Sequence, residues 1–509
     1  MSLFFLTREC IDSKFFLIVK SFLSLPFARF IVSKNKRWKK NAVEAQEKTM
    51  LSLVSKAKNT SFGKEHLFSK IKSYEDFKRH IPIRDYEKFK PYIKDVISGK
   101  ENVLWPKRPI YFCKTSGTTS GTKHIPISKE SLPNHITAAR DAILTYIAET
   151  KNTAIVKGKM IFLQGSPKLS KKGGVLTGRL SGIVAHHIPS YLKQNRLPSY
   201  ETNCIEDWDE KVNAIVKETI LEKMSVISGI PPWVQMYFEK LQKKSGSFIK
   251  DLFPSFDLFI YGGVNYEPYR KTFEKLIGKD IDAIELYPAS EGFIAYQDSQ
   301  TKEGLLLCVN HGIFFEFIPV EEFYKPNPTR VSLAGVKTGI NYVLILNTNA
   351  GLWGYNLGDT VRFKSLDPYR IIVSGRIKHF TSAFGEHVIS EEVENSLKEV
   401  LQVVSAQVNE FHVAPQVNPK NGLPYHEWLI EFKEPPKNLD SFKSLLDDAL
   451  QNHNNYYKDL IAGKVLRPLE ITIIEEGVFR GYMESIGKLG GQNKVPRLAN
   501  DRKIANKLK

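Results

Sequence analysis

Cysteine is scarce in this chain. Cys10, Cys113, Cys204 and Cys308 are widely spaced, and none belongs to a C-x-x-C pair. That excludes a disulfide scaffold and a zinc ribbon, and it fits free thiols in a reducing cytoplasm. Long apolar runs are missing as well. The most apolar stretch, residues 15–32, is interrupted by Lys20 and Arg29 and broken at Pro26. It therefore falls short of the roughly 18 uninterrupted apolar residues that a spanning helix needs. No convincing small-residue cleavage site follows it, which argues against a signal peptide. The stretch is expected to be an amphipathic packing helix, with a weak membrane-surface contact as its alternative role. Acids are the minority charge: 55 Asp and Glu face 73 Lys and Arg, a formal balance of +18. The excess favours anionic partners. Zinc-finger spacing and the aromatic pattern of RNA-recognition motifs are both absent, so nucleic acid is not the expected partner. The run Lys34, Lys36, Arg37, Lys39, Lys40 reads as a solvated helix face.

What is present is a globular chain too long for one domain, at 509 residues and 42% hydrophobic. Residues 41–58 read as a helix, and Ser73 with Asp76 forms a capping-box start for another. From about residue 111 to 291, apolar runs alternate with small-residue loops and helical stretches. This pattern predicts an α/β core with ligands at the carboxyl ends of its strands. Residues 305–374 read as mostly β. There Leu305–Val309 and Ile313–Ile318 are expected to pair as a hairpin about Asn310-His311-Gly312. After Gly375 the pattern is a small α+β domain. The expected division is 1–375 and 380–509.

The most informative stretch is Lys114-Thr115-Ser116-Gly117-Thr118-Thr119-Ser120-Gly121-Thr122-Lys123. Glycines let backbone N–H groups approach an anion, hydroxyls add donors, and Lys123 adds charge, so the chemistry suits a polyphosphate. It is not a Walker A loop, because Gly117 and Gly121 are too close and His124 follows Lys123. Alone, a surface loop would explain it equally well. Further on, Tyr287-Pro288-Ala289-Ser290-Glu291-Gly292 sets an aromatic ring and a carboxylate across a turn after a strand. The ring suits stacking on a base and the carboxylate suits Mg²⁺ against phosphate; a core aromatic and a surface acid are the plain alternatives. Tyr355-Asn356-Leu357-Gly358-Asp359 is expected at a turn between β segments, with Asp359 either accepting ribose hydroxyls or serving as a turn residue. His124, His186, His187 and His311 have no visible catalytic partner and are expected to be structural. No Gly-x-Ser-x-Gly elbow occurs.

Taken in order, these segments resemble the adenylate-forming superfamily. Ser116, Gly117, Thr118, Thr119 and Lys123 match its phosphate loop, whereas Ser120, Thr122 and His124 depart from it. The departures resemble the GH3 family of acyl-acid amido synthetases, as do Asn59–Gly63, 73–77, 99–106, Tyr261-Gly262-Gly263, Ser290-Glu291-Gly292, Leu357-Gly358-Asp359 and Gly491–Arg497. The resemblance implies a large N-terminal α/β adenylation domain with a β-rich subdomain and a small mobile α+β C-terminal domain. It implies ATP and Mg²⁺, with Thr115, Ser116, Gly117, Thr118, Thr119, Ser120, Gly121 and Lys123 cradling the phosphates. Gly262, Gly263, Tyr287, Ala289 and Ser290 would line the adenine site, Glu291 would ligate Mg²⁺, and Asp359 with Arg376 would hold the ribose. Lys378 would be the hinge and Lys494 the catalytic lysine. The implied partners are a carboxylic acid and an amine, the amine being an amino acid. Coenzyme A as acceptor, a non-catalytic nucleotide-binding relative and a nucleic-acid binder are the competing readings. The acid pocket is expected between residues 135 and 240, where Tyr191, Trp233 and Tyr237 suit either a hydrophobic acid or core packing.

Overall fold

The alternation of apolar runs and helices builds a parallel half-sheet, because each crossover helix returns the chain in the same direction. The computed structural model describes residues 2–509 except 117–121, 189–194, 264–265, 378–379, 382–387, 418, 463–465, 490–493 and 500. In chain order its first strands are β1 (Tyr111–Ser116), β2 (Thr122–Ile127), β3 (Lys159–Phe162), β4 (Ser170–Lys172), β5 (Val175–Gly178), β6 (Arg196–Leu197), β7 (Met224–Ser228), β8 (Leu258–Gly262), β9 (Asp282–Ala289) and β10 (Gly292–Tyr296). There follow β11 (Leu305–Leu307), β12 (Ile313–Pro319), β13 (Asn341–Thr348), β14 (Tyr355–Leu366) and β15 (Tyr369–Arg376). One sheet runs β12-β13-β14-β15-β11-β10-β9-β8-β7-β3-β6, and a smaller one runs β2-β1-β5-β4. From β6 to β9 the large sheet is parallel. At β9 and β10 it turns antiparallel, and β10, β11 and β15 continue so.

The parallel half is packed with apolar side chains. Ile161, Ile227 and Phe259 from its strands meet Val212, Ile215, Val234, Phe238 and Phe273 from the helices Trp208–Thr219, Pro231–Ser245 and Glu267–Ile277. The other half buries polar groups too. Glu316 on β12 is wholly buried; Arg330 reaches it at 2.8 Å, and Tyr74 and Asn347 donate to it at 3.1 and 3.0 Å. Gln46, from the helix Ala42–Ala57, donates to the carbonyls of Val309 and Ile313 and accepts from the Phe315 N–H.

Two sequence expectations are corrected here. Leu305–Val309 and Ile313–Ile318 do not form a hairpin: β11 lies between β10 and β15, whereas β12 pairs with β13 at the far edge. Both strands are almost entirely buried, so no alternating pattern commits either to its chain neighbour. The N-terminal helix does not break at Pro26 but runs from Ser2 to Lys40. Proline removes one N–H and crowds the carbonyl of Phe22. Pro26 and Phe22 are both on the exposed side, where water can satisfy that carbonyl. The opposite side is held by Ser21 on Thr153 and by Asn35 on Asp141. Among the described residues no helix is long and apolar enough to cross a membrane.

The chain divides into two compact units. One comprises residues 1–340, 344–357 and 363–372; the other comprises 341–343, 358–362 and 373–509. The second also contains a short ribbon of β16 (Phe380–Thr381) and β17 (Val388–Ile389), and a sheet of β18 (Gln407–Gln416), β19 (Tyr425–Glu434) and β20 (Glu470–Ile474). The helices Ser390–Val403 and Leu439–His453 contribute Val393, Leu397, Val400, Phe442, Leu446 and Leu450 to a core shared with Val413, Trp428 and Ile430.

Candidate active site

The first unit brings two of the sequence segments together. β1 carries Thr115 and Ser116 into the hydroxyl-rich loop, and β2 carries Lys123 out of it, with Thr115 opposite Lys123. Gly117, Thr118, Thr119, Ser120 and Gly121 lie outside the described residues. Two residues back on β1, the buried Cys113 thiol donates to the Ser290 hydroxyl at 3.1 Å. Ser290 and Glu291 form the two-residue connection of the β9–β10 hairpin, where Ala289 faces Gly292. Burial pushes the Cys113 thiol up to about 12, and the Glu291 carboxylate adds to the rise against the opposing Ser290 bond. Glu291 itself is 8% exposed. The carboxylate and the mouth of the loop thus share one corner, at the point where the large sheet changes from parallel to antiparallel. Crevices at such strand ends are where open α/β sheets take their ligands.

Tyr287 and Ala289 are not in a loop after the strand, as the sequence suggested, but inside β9, which runs on to Ala289. Pairing with β10 extends it past the proline. Tyr287 is buried on that strand. Beside it, Gly262 ends β8 opposite Leu286. A Cβ at Gly262 would lie 2.4 Å from the Leu286 carbonyl oxygen, so the close approach of these strand ends requires glycine. Gly263 follows with φ +75°, a conformation that disfavours side chains.

Besides Cys113, one residue of this corner escaped sequence reasoning. Tyr86, the first residue of the helix Tyr86–Ile97, accepts the His124 N–H on its hydroxyl at 2.8 Å and lies under the Lys123 ammonium, 5.6 Å from ring centre to nitrogen. It anchors the outgoing limb of the loop. Its neighbourhood is electropositive: burial lowers the His124 imidazole, and the Lys172 and Lys114 charges lower it further. The other histidines have structural partners. His186 bonds the Pro167 carbonyl, His187 shares a hydrogen bond with the Tyr111 hydroxyl, and His311 is buried against Trp38. Tyr237 is core, bonded to Thr219 at 2.6 Å, and Trp233 is 6% exposed. Tyr191 lies outside the described residues.

In the second unit, Asp359 is within β14 rather than at a turn. Gly358, at φ +87°, is a kink inside that strand, not a reversal. The Ile377 N–H donates to the Gly358 carbonyl at 2.7 Å, which sets Asp359 and Arg376, the last residue of β15, on adjoining strands. Lys378 lies outside the described residues. Lys494 is exposed at the start of a segment pinned along β18. There Val413 bonds the Arg497 carbonyl, Ala499 bonds the Val413 carbonyl, and Arg497 pairs with Glu410 over the Phe411 ring. Among the described residues no group of three or more His, Cys, Asp or Glu side chains could hold a metal by itself.

Models of the GH3 family N-terminal, central and C-terminal domains match residues 32–203, 306–376 and 391–503. The chain belongs to the GH3 family. Among its relatives is jasmonoyl–L-amino acid synthetase GH3.5 of Oryza sativa subsp. japonica, 22% identical over 84% of this chain and 87% of that protein. The fold matches that of GH3.15 acyl acid amido synthetase, with a TM-score of 0.77 at 16% identity over 94% of this chain and 95% of the other. It also matches 2-hydroxyisobutyryl-CoA ligase in its postadenylation state with R3-HIB-AMP, with a TM-score of 0.57 at 11% identity over 91% and 90% of the two chains. The stretch of this GH3 chain between the N-terminal and central matches, 204–305, carries β7 to β10 and with them Gly262, Gly263, Tyr287 and Glu291.

Proposed function

We propose that this GH3 chain uses ATP to activate a carboxylic acid as an acyl-adenylate and passes the acyl group to the amino group of an amino acid, forming an amide. The Cys113–Ser290 hydrogen bond carries the reading, because it joins the strand entering the hydroxyl-rich loop to the turn bearing Glu291. Relatives named as amido synthetases support the amine as acceptor. Cys113, Cys204 and Cys308 are free thiols, which supports a reducing cytoplasm as the setting.

In this reading, Thr115 to Gly121 and Lys123 hold the triphosphate, Gly262, Gly263, Ala289 and Ser290 line the adenine, and Tyr287 covers it. Asp359 accepts the ribose hydroxyls and Arg376 assists. Glu291 suits Mg²⁺: a buried carboxylate beside a phosphate site matches an ion that takes one or two protein carboxylates, phosphate oxygens and water. When bound, Mg²⁺ supplies charge neutralisation on the phosphates. Lys494 offsets the negative charge that builds as the substrate carboxylate oxygen attacks the α-phosphorus. The α–β phosphoanhydride bond breaks and pyrophosphate leaves with its electron pair. The amine nitrogen then attacks the acyl carbon, the bond to AMP breaks, and the amine loses its proton to water. The two steps place different demands on one set of groups. A mobile domain, residues 380–509, turning at Lys378 would meet them.

ATP–pyrophosphate exchange across a panel of carboxylic acids tests the reading. Acid-dependent exchange is expected, reduced about 10²- to 10³-fold in Glu291→Ala. Mass spectrometry of products with amino acids or coenzyme A supplied then names the acceptor. Absence of ATP binding by calorimetry would sink the proposal.

A further inference from the structure

The N-terminal helix, Ser2–Lys40, is apolar on two sides but packed on one. Ser21, Ala28, Ile31, Asn35 and Trp38 are buried. Phe22, Leu23, Phe27 and Phe30 are exposed by 77, 55, 47 and 63%. At about 100° per residue these two sets occupy opposite sides of the helix. A helix apolar all round is normally covered all round, and three phenylalanines exposed within three turns form a patch rather than scattered surface residues. The patch precedes residue 32, where the match to the family N-terminal domain begins.

Charge selects the occupant. From Ser13 to Val43 the sequence contains no Asp or Glu, and it carries Lys14, Lys20, Arg29, Lys34, Lys36, Arg37, Lys39 and Lys40. Lys39 is engaged by Asp298 at 3.1 Å. Arg29, Lys34, Lys36, Arg37 and Lys40 are exposed, and by helical spacing they fall on or beside the side that presents the phenylalanines. A second copy of this helix would bring the same cations face to face, which disfavours self-association. The helix is not long and apolar enough to span a bilayer. Aromatic and aliphatic side chains on one side of a helix, followed by a turn or two of lysine and arginine, fit the boundary of an anionic bilayer. There the rings enter the acyl edge and the cations meet headgroup charge.

We propose that the exposed side of this helix, centred on Phe22, Phe27 and Phe30 with Lys34, Lys36 and Arg37, docks the protein on an anionic lipid surface. The activation chemistry would then take place beside a membrane, with access to carboxylic acids that partition into it. Flotation of the full chain with vesicles of phosphatidylcholine containing about 30% phosphatidylserine tests this. Binding is expected to phosphatidylserine vesicles and not to pure phosphatidylcholine. It is expected to weaken at least about tenfold in Phe22→Ser/Phe27→Ser/Phe30→Ser, and similarly in Lys34→Glu/Arg37→Glu. Both variants should keep the wild-type unfolding temperature and exchange activity, since all of these side chains are exposed and none belongs to the proposed site. Three outcomes overturn the proposal. One is no flotation by the wild type. The second is flotation indifferent to the phenylalanine substitutions, which would reduce the effect to general basic adsorption. The third is a wild-type dimer abolished by those substitutions, which would make the patch a self-interface.

Discussion

The two halves of the large sheet are built on different principles. In the parallel half, β6, β3, β7, β8 and β9 lie against a core of apolar side chains and aromatic rings, and the polar side chains buried beside it, Lys211, Thr219 and Ser225, donate to backbone carbonyls. Crossover helices dictate which strand lies next to which, so no buried ion pair between strands has to select the order. In the antiparallel half, strands consecutive in sequence are not always neighbours. That half buries Glu316 with Arg330, Asn347 and Tyr74 and Gln46 against three backbone groups, and it also encloses His135 and His311. A buried polar group finds its partners in only one arrangement, so it can select among pairings that apolar contact alone would tolerate. The candidate corner lies where the two regimes meet.

That contrast can be broken most severely at Arg330. Replacing it with Met strands a wholly buried Glu316 carboxylate and should cost about 3 to 5 kcal/mol in urea unfolding. A loss near that of an ordinary surface substitution would refute the role of these polar groups. Next in size, Glu291→Ala at the junction should leave unfolding nearly unchanged while exchange falls about 10²- to 10³-fold. A parallel loss of stability and activity would reassign Glu291 to the scaffold. The third test is pH. Burial pushes His135 and His311 down to about 4, whereas an unfolded imidazole titrates near about 6.5. Between those values the unfolded chain takes up protons that the folded chain refuses. Stability should therefore be flat above about pH 7 and fall by a few kcal/mol as pH drops towards about 4.5. Unfolding midpoints across that range measure the slope, which should lessen in His135→Gln. The smallest effect belongs to the parallel half. Ile227→Val removes one methylene from a well-filled core and should cost only about 0.5 to 1.5 kcal/mol. A cost as large as that of Arg330→Met would erase the distinction.

The same contrast governs what could be read from the chain alone. Strand β7, Met224–Ser228, followed by the helix Pro231–Ser245, is one instance of the alternation of apolar run and helical stretch expected from about 111 to 291. The Ser73–Asp76 capping box forms as its spacing implied, each residue bonding the other's backbone. These features depend on nearby residues. The partner of β12 does not, and it was misassigned. Pro26 was read as a break because the contacts that hold the helix on both sides of it come from residues 141 and 153. In the corner, Ser290 and Glu291 were legible because they form one short motif with the glycine after them. Cys113 and Tyr86 were not. A single cysteine in a strand has no signature, and Tyr86 meets the loop from 38 positions upstream.

Cys113 also gives the molecule a clock. Its thiol is fully buried, pushed up to about 12 and bonded to Ser290, so in the closed protein it is nearly inert to alkylating agents. Any alkylation of Cys113 in the native chain must pass through an opening that separates β1 from the 290–291 turn. Its rate therefore counts how often the corner comes apart. Anything that binds there should slow the count in proportion to its occupancy, which turns a silent thiol into a reporter for ligands whose chemistry is not yet known.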